Sequence, residues 1–163
     1  MRVLLADDSD LILERLQEMV SIYNQAEIVG SFKNGTETLE ALRILKPDLA
    51  IVDIKMPGLS GLKVLNEIRK EDKTIKFIIL TFYSSDYYRQ LAIQSGADYF
   101  FSKVDDFEKV SLVVGEMVLK ECNDNRIKMA NIWFVAHYNI NTEWNIIYVQ
   151  KKRNRKRKIN KGK

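Results

Sequence analysis

The sequence predicts an α/β fold: a doubly wound, flavodoxin-like sheet of five parallel strands with five helices on its two faces. Three observations carry this. Short apolar runs alternate with helix-spaced stretches five times over about the first 122 residues. The runs lack an in/out alternation, as expected of strands covered on both sides. Right-handed crossovers then leave only a few doubly wound strand orders.

The elements follow in order. VLLA (3–6) is the first strand, and Ile12, Leu16, Met19, Val20 and Tyr23 recur behind it at helical spacing. EIVGSF (27–32) is the second strand. NGT (34–36) then supplies a turn and a cap for a helix through Leu39, Leu42 and Leu45, stopped by Pro47. LAIVD (49–53) is the third strand, and SGL (60–62) leads into a helix carrying Leu62, Leu65 and Ile68. FIILTF (77–82) is the fourth, followed by a helix over 84–95 that ends at Gly96. DYFFSK (98–103) is the fifth, followed by a helix over 105–122 with Phe107, Val110, Val114, Met117 and Val118 inward. No internal repeat of 20–50 residues is present.

Composition narrows the function classes. The chain is 46% hydrophobic and 29% charged, enough apolar residues for a core in a soluble domain. Cys122 is the one cysteine, so no disulfide framework forms within the chain, which fits a cytoplasmic protein. Asp7, Asp8 and Asp10 lie where a signal peptide needs an apolar core. The most apolar long stretch, 127–149, carries Lys128, His137, Glu143 and four asparagines, so the chain is expected not to be transmembrane. The net charge of +4 is unevenly spread. Residues 151–163 hold nine of the 26 basic residues and no acid; the rest has 17 basic residues against 22 acidic ones, a net of −5. An acidic domain carries a basic tail.

Ligands in open α/β sheets bind beyond the carboxyl ends of the strands. There the first run ends at Asp7 and Asp8, the third at Asp53, the fourth near Thr81 and the fifth near Lys103. One acid would suffice as a helix cap, and Ser9 could supply that cap itself. Carboxylates about 4 Å apart repel by roughly 4 kcal/mol at an effective dielectric near 20. Three of them should raise one another's pKa values or recruit a cation. Hard oxygen donors with room for water suit Mg2+. Beside such an ion, Asp53 is a candidate nucleophile towards phosphoryl groups, with Lys103 supplying charge and Thr81 a hydroxyl hydrogen bond. Nucleotide-binding loops of the GxxxxGK[ST] or GxGxxG type are absent, and a lone histidine and a lone cysteine argue against zinc.

These residues resemble the receiver domain of two-component response regulators, which is CheY-like in fold. The resemblance covers residues 1–122 and rests on LLADDSD (4–10), DIKMPGLSG (53–61), ILTFYSS (79–85) and SGADYFFSK (95–103). It implies that Asp53 is the phosphoacceptor and that Asp7 and Asp8 hold Mg2+ with the backbone carbonyl of Lys55. It also implies that Thr81 is the switch hydroxyl, Lys103 the phosphate-contacting lysine and Phe100 the switch aromatic. The implied partner is a sensor histidine kinase or a histidine phosphotransfer protein. The implied output, transcription in most such proteins, is read from the fourth helix, fifth strand and fifth helix, a face often used for homodimers. Lys55 and Tyr83 would flank the path of attacking water and slow self-dephosphorylation. Such a receiver is not an enzyme towards external substrates. One departure stands out: Val104 follows Lys103 where the family usually has proline. The expectation is either a trans peptide with a rearranged loop or a strained cis one.

Two stretches lie beyond the receiver. Residues 123–150 are rich in aromatics and asparagine, and IWFVAHY (132–138) and WNIIYV (144–149) suit a hairpin, a helix packed on the domain, or part of a truncated output domain. Residues 151–163 are expected to be disordered, with charge enough for weak contact with DNA or an anionic surface, or simply to be a solvated tail. Two alternative functions stay open: a Mg2+-dependent phosphohydrolase, and a phosphate-independent nucleic-acid adaptor working through the tail.

Overall fold

A computed structural model describes residues 1–122 of the chain. Along them run β1 (Arg2–Ala6), α1 (Asp10–Ser21), β2 (Glu27–Phe32), α2 (Gly35–Leu45), β3 (Leu49–Val52), α3 (Gly61–Glu71), β4 (Lys76–Thr81), α4 (Asp86–Gln94), β5 (Tyr99–Ser102) and α5 (Phe107–Cys122). The five strands form one parallel sheet in the order β2-β1-β3-β4-β5. Among the described residues no helix is long and apolar enough to cross a membrane. The expectations for residues 123–150 and 151–163 lie outside the described residues.

Successive residues of the central strands feed opposite faces, and both faces are apolar. Leu4, Ala6, Ala50, Val52, Phe77 and Ile79 pack with α2, α3 and Ala92 of α4. Val3, Leu5, Leu49, Ile51, Ile78 and Leu80 pack with α1 and α5. This two-sided burial is why the runs read as continuous apolar stretches. Each fully buried large side chain adds about 1.5–3 kcal/mol relative to exposure, so the central strands are the most strongly determined part of the domain. The edge strands β2 and β5 are only partly covered.

Helix ends are set by local chemistry. The Asn34 side chain accepts from the Thr36 N–H at 2.8 Å and starts α2, as the NGT turn suggested. Ser9 occupies the N-cap position of α1 but makes no side-chain cap bond. α4 starts at Asp86, two residues later than its spacing suggested. α5 starts at Phe107 instead of residue 105, because Asp105 and Asp106 are engaged otherwise: their carboxylates accept from the Ser102 hydroxyl and Ser102 N–H. On α5, Val113 is buried beside Val114, while Met117 is only partly buried at the edge of the apolar stripe.

Two glycines are required by close backbone approach at the strand-to-helix turns. A Cβ on Gly35 would stand 1.7 Å from the Leu59 carbonyl oxygen, and one on Gly61 would stand 2.0 Å from that of Asp53. The second contact seats the start of α3 against the residue that directly follows β3. Gly61→Ala is therefore expected to lower the unfolding free energy by about 2 kcal/mol or more in a denaturant titration. The exposed Ser84→Ala change should stay within about 0.5 kcal/mol.

Candidate functional site

The pairing of the sheet carries past the strand ends and brings the site together. Ala6 is paired with Val52, and the Asp53 N–H donates to the Ala6 carbonyl at 2.9 Å. The Asp7 N–H donates to the Phe32 carbonyl at 2.9 Å. Asp7 and Asp53 thus leave adjacent strands side by side. Two strands along, Thr81 is paired with Ser102, and the Lys103 N–H donates to the Thr81 carbonyl at 2.9 Å.

From β5 the Lys103 side chain, 1% exposed, reaches back to both acids: its Nζ lies 2.6 Å from Asp7 Oδ2 and 3.0 Å from Asp53 Oδ2. The other oxygens are held by backbone, Asp53 Oδ1 by the Ile54 N–H at 2.6 Å and Asp7 Oδ1 by the Ser9 N–H at 3.1 Å. Asp8 is exposed, yet one carboxylate oxygen from each of Asp7, Asp8 and Asp53 lies within 4.8 Å of the others. Asp10 does not join them; its carboxylate pairs with Lys33.

Three carboxylates face one buried ammonium, so the cluster carries a net charge of −2 when every group is ionised. Burial pushes the Asp7 carboxyl above its ordinary value; the Lys103 hydrogen bond and charge and the Ser9 N–H oppose the rise, and the Asp53 charge adds to it. A cluster of hard oxygen donors, two buried and one open to solvent, fits a divalent cation of the magnesium type that keeps part of its water. Asp7, Asp8 and Asp53 are the side chains that would hold it.

The remaining expected residues do not join the hydrogen bonds of this cluster. Thr81 is buried, and its Oγ1 accepts from the Tyr83 N–H at 3.2 Å. Phe100 is buried on β5, paired with Ile79. Lys55 is exposed, its Nζ 5.8 Å from the centre of the Tyr83 ring. Its pKa is raised, first by the Tyr83 side chain, with Asp8 and Asp53 adding to the effect. The described residues contain no cis peptide bond, so Lys103–Val104 is trans. The loop is tied by Ser102, whose Oγ accepts from the N–H groups of Val104 and Asp105 at 3.2 and 3.3 Å. Lys103 still reaches both acids.

Two neighbours went unread in the sequence. The Phe82 ring, 59% exposed, has its centre 5.0 Å from Lys103 Nζ, and its place directly after Thr81 was the available signal. Arg89 of α4 lies against Phe100, and nothing in its local sequence marks it.

Because the Asp7 pKa is raised in the fold, its ionisation opposes folding. Its contribution is fully favourable below the ordinary value of 3.8 and is lost as pH rises through the higher folded value. At neutral pH without divalent ions, Asp7→Asn is expected to melt at a higher temperature than the wild type. Added magnesium should raise the wild-type Tm and leave that of D7N nearly unchanged. A chelated wild type melting above D7N would mean that pairing with Lys103 outweighs burial.

Residues 3–114 match the family described as the response regulator receiver domain. The chain is 32% identical over 102 residues to the response regulator GacA of Pseudomonas viridiflava, covering 63% of this chain and 48% of that protein. It is 31% identical over 117 residues to the uncharacterized transcriptional regulatory protein YvfU of Bacillus subtilis, covering 72% and 58%. A protein-glutamate methylesterase/protein-glutamine glutaminase of Methanospirillum hungatei is 36% identical over 138 residues, covering 83% and 38%. The chain spans about half the length of the curated relatives it matches, or less. Among solved structures, the response regulator domain of Thermotoga maritima CheB is similar with a TM-score of 0.65 at 27% identity, covering 77% of this chain and 98% of that one. The signal receiver domain of the NarL response regulator of Mycobacterium tuberculosis gives a TM-score of 0.66 at 25% identity, covering 72% and 94%. With its acids, lysine and buried threonine gathered at the carboxyl edge of a five-stranded parallel sheet, the chain belongs to the response regulator receiver domain family.

Proposed function

We propose that this chain is the phosphoacceptor switch of a two-component system, with Asp53 as the residue that takes the phosphoryl group. The observation that carries the reading is the buried Lys103 ammonium bound to both Asp53 and Asp7 inside a cluster of three acids. The donor is a sensor histidine kinase or a histidine phosphotransfer protein acting in the cytoplasm. A carboxylate oxygen of Asp53 attacks phosphorus as the phosphorus–nitrogen bond of the donor's phosphohistidine breaks. The bonding pair leaves with the imidazole nitrogen, and an acyl phosphate remains on Asp53. Asp7, Asp8, Asp53 and the backbone carbonyl of Lys55 would hold magnesium, which would supply charge neutralisation at the phosphoryl oxygens.

The chain's own groups do the positioning. Lys103, already in reach of Asp53, presents its ammonium to the arriving oxygens. Thr81 exchanges its bond from the Tyr83 N–H for one to the phosphoryl group, and the vacated space favours the inward ring of Phe100. Phosphorylation thereby shifts an existing equilibrium between two arrangements. The readout is the face of α4, β5 and α5, through a partner or a second copy of the chain, with transcription as the output that the relative named as the transcriptional regulatory protein YvfU suggests. A phosphohydrolase would want a second acid two residues beyond Asp53, and that position is Lys55. The chain is accordingly read as a switch with no external substrate to turn over.

Incubation with acetyl phosphate and magnesium, followed by intact-mass measurement, should show a gain of one phosphoryl group. The gain should be lost in Asp53→Asn. Folded, magnesium-loaded protein that acquires no adduct would reject the reading. Lys55, whose ammonium feels the charges of Asp8 and Asp53, and its neighbour Tyr83 are read, from the family resemblance, as flanking the path of water to Asp53, so the purified phosphoprotein is expected to lose its label over minutes or longer. Truncating both side chains to alanine should speed the loss, and a wild-type half-life of seconds would count against this shielding.

A further inference from the structure

Phe100 has no hydroxyl with which to anchor itself when its ring lies inside. It is nonetheless 5% exposed, packed in the cluster that holds Ile79 and Ala92. A cation covers it: the Arg89 guanidinium carbon lies 4.8 Å from the ring centre. The same guanidinium donates through Nη1 to the Phe100 carbonyl at 3.4 Å, a long hydrogen bond. Arg89 stands in the first turns of α4, where its N–H donates to the Ser85 carbonyl at 3.0 Å. Its charge also acts on Asp106, the residue before α5 that accepts from Ser102 N–H. One side chain therefore touches the ring and backbone of β5, belongs to α4, and reaches the start of α5 through its field.

A guanidinium over an aromatic face is held there by the ring's quadrupole, the more strongly the less water reaches it. Such a hold is enough to change a two-state population several-fold. Ile79, the partner of Phe100 in the sheet, is two residues before Thr81, so the ring's position and that of the threonine are set on one short stretch of paired strands.

We propose that Arg89 is a positioning residue, a latch whose guanidinium, stacked on the Phe100 ring and bonded to its carbonyl, clips α4 to β5 with the ring inward and biases the domain towards its phosphoryl-bound arrangement before any phosphoryl group arrives. This rests on the phosphoacceptor reading of the same site.

The test titrates beryllofluoride, a phosphoryl mimic, into the full chain with saturating magnesium. The Phe100 ring is followed by proton–carbon NMR, with its signals assigned by Phe100→Leu. Arg89→Ala is expected to bind the mimic about three- to tenfold more weakly. Before any mimic is added, its Phe100 signals should move towards those of an exposed ring. Arg89→Lys, which keeps a cation, should recover part of both effects, and Arg89→Met, which keeps bulk without charge, should behave like alanine. Unchanged affinity and unchanged ring signals in Arg89→Ala would overturn the latch, as would full function in Arg89→Met. If alanine leaves the domain unfolded, the lysine and methionine variants decide the matter. A wild type that binds no beryllofluoride would instead defeat the phosphoacceptor reading and the bias with it, while the ring signals of the free variants would still report whether Arg89 holds Phe100.

Discussion

The site depends on one ammonium ion. Lys103 is buried at the carboxyl edge of the sheet and satisfies Asp7 and Asp53 together. A charge removed from water is tolerable only when it is paired and hydrogen-bonded, and each of these three is. Yet the pairing is incomplete by count, because Asp8 brings a third carboxylate to within 4.8 Å. The cluster holds its shape through Lys103 and keeps an unmet need for positive charge. Both properties suit the proposed meeting of a cation and a phosphoryl group there. A cluster neutralised in full would have less call for a cation, and one without the lysine would leave buried acids to repel one another.

What makes that arrangement possible is parallel pairing carried one residue past the strands. In a parallel sheet all carboxyl ends lie on one edge, so residues far apart in sequence leave the sheet at the same level. Asp53 follows Val52, which is paired with Ala6, and Lys103 follows Ser102, which is paired with Thr81. The apolar faces under this edge are buried on both sides, which stiffens the platform. The close seat of Gly61 against the Asp53 carbonyl removes further slack at the residue that matters most.

In the proposed switch, the same sheet would carry the site's state outward. Thr81 closes β4 with its hydroxyl accepting from the Tyr83 N–H, and Phe100 lies buried on the adjoining β5 beneath Arg89 of α4. In that switch, a change of hydrogen-bond partner at Thr81 would be felt by the ring on the adjoining strand, two residues along the same register, and the ring is attached to the helix through the Arg89 guanidinium. Small shifts at a packed boundary of this kind are expressed as a choice between two arrangements, because close-packed interiors do not deform continuously.

Much of this was legible in the chain itself. Five apolar runs, the NGT cap and the acids directly after VLLA and LAIV mark the strands, the α2 start and the acidic cluster, because burial and capping are written in local residue types. The motif around Asp53 carries the family. What local pattern does not contain is which long side chain goes where. That Lys103, before a trans Lys103–Val104 peptide, turns inward to bind two acids, that Asp10 pairs with Lys33 outside the cluster, and that Arg89 covers Phe100 are decided by partners many residues away. Lysine and arginine carry the same charge and reach wherever they sit in a sequence; only the packed sheet and helices determine which face is dry, which charge is within reach, and so what each of them does.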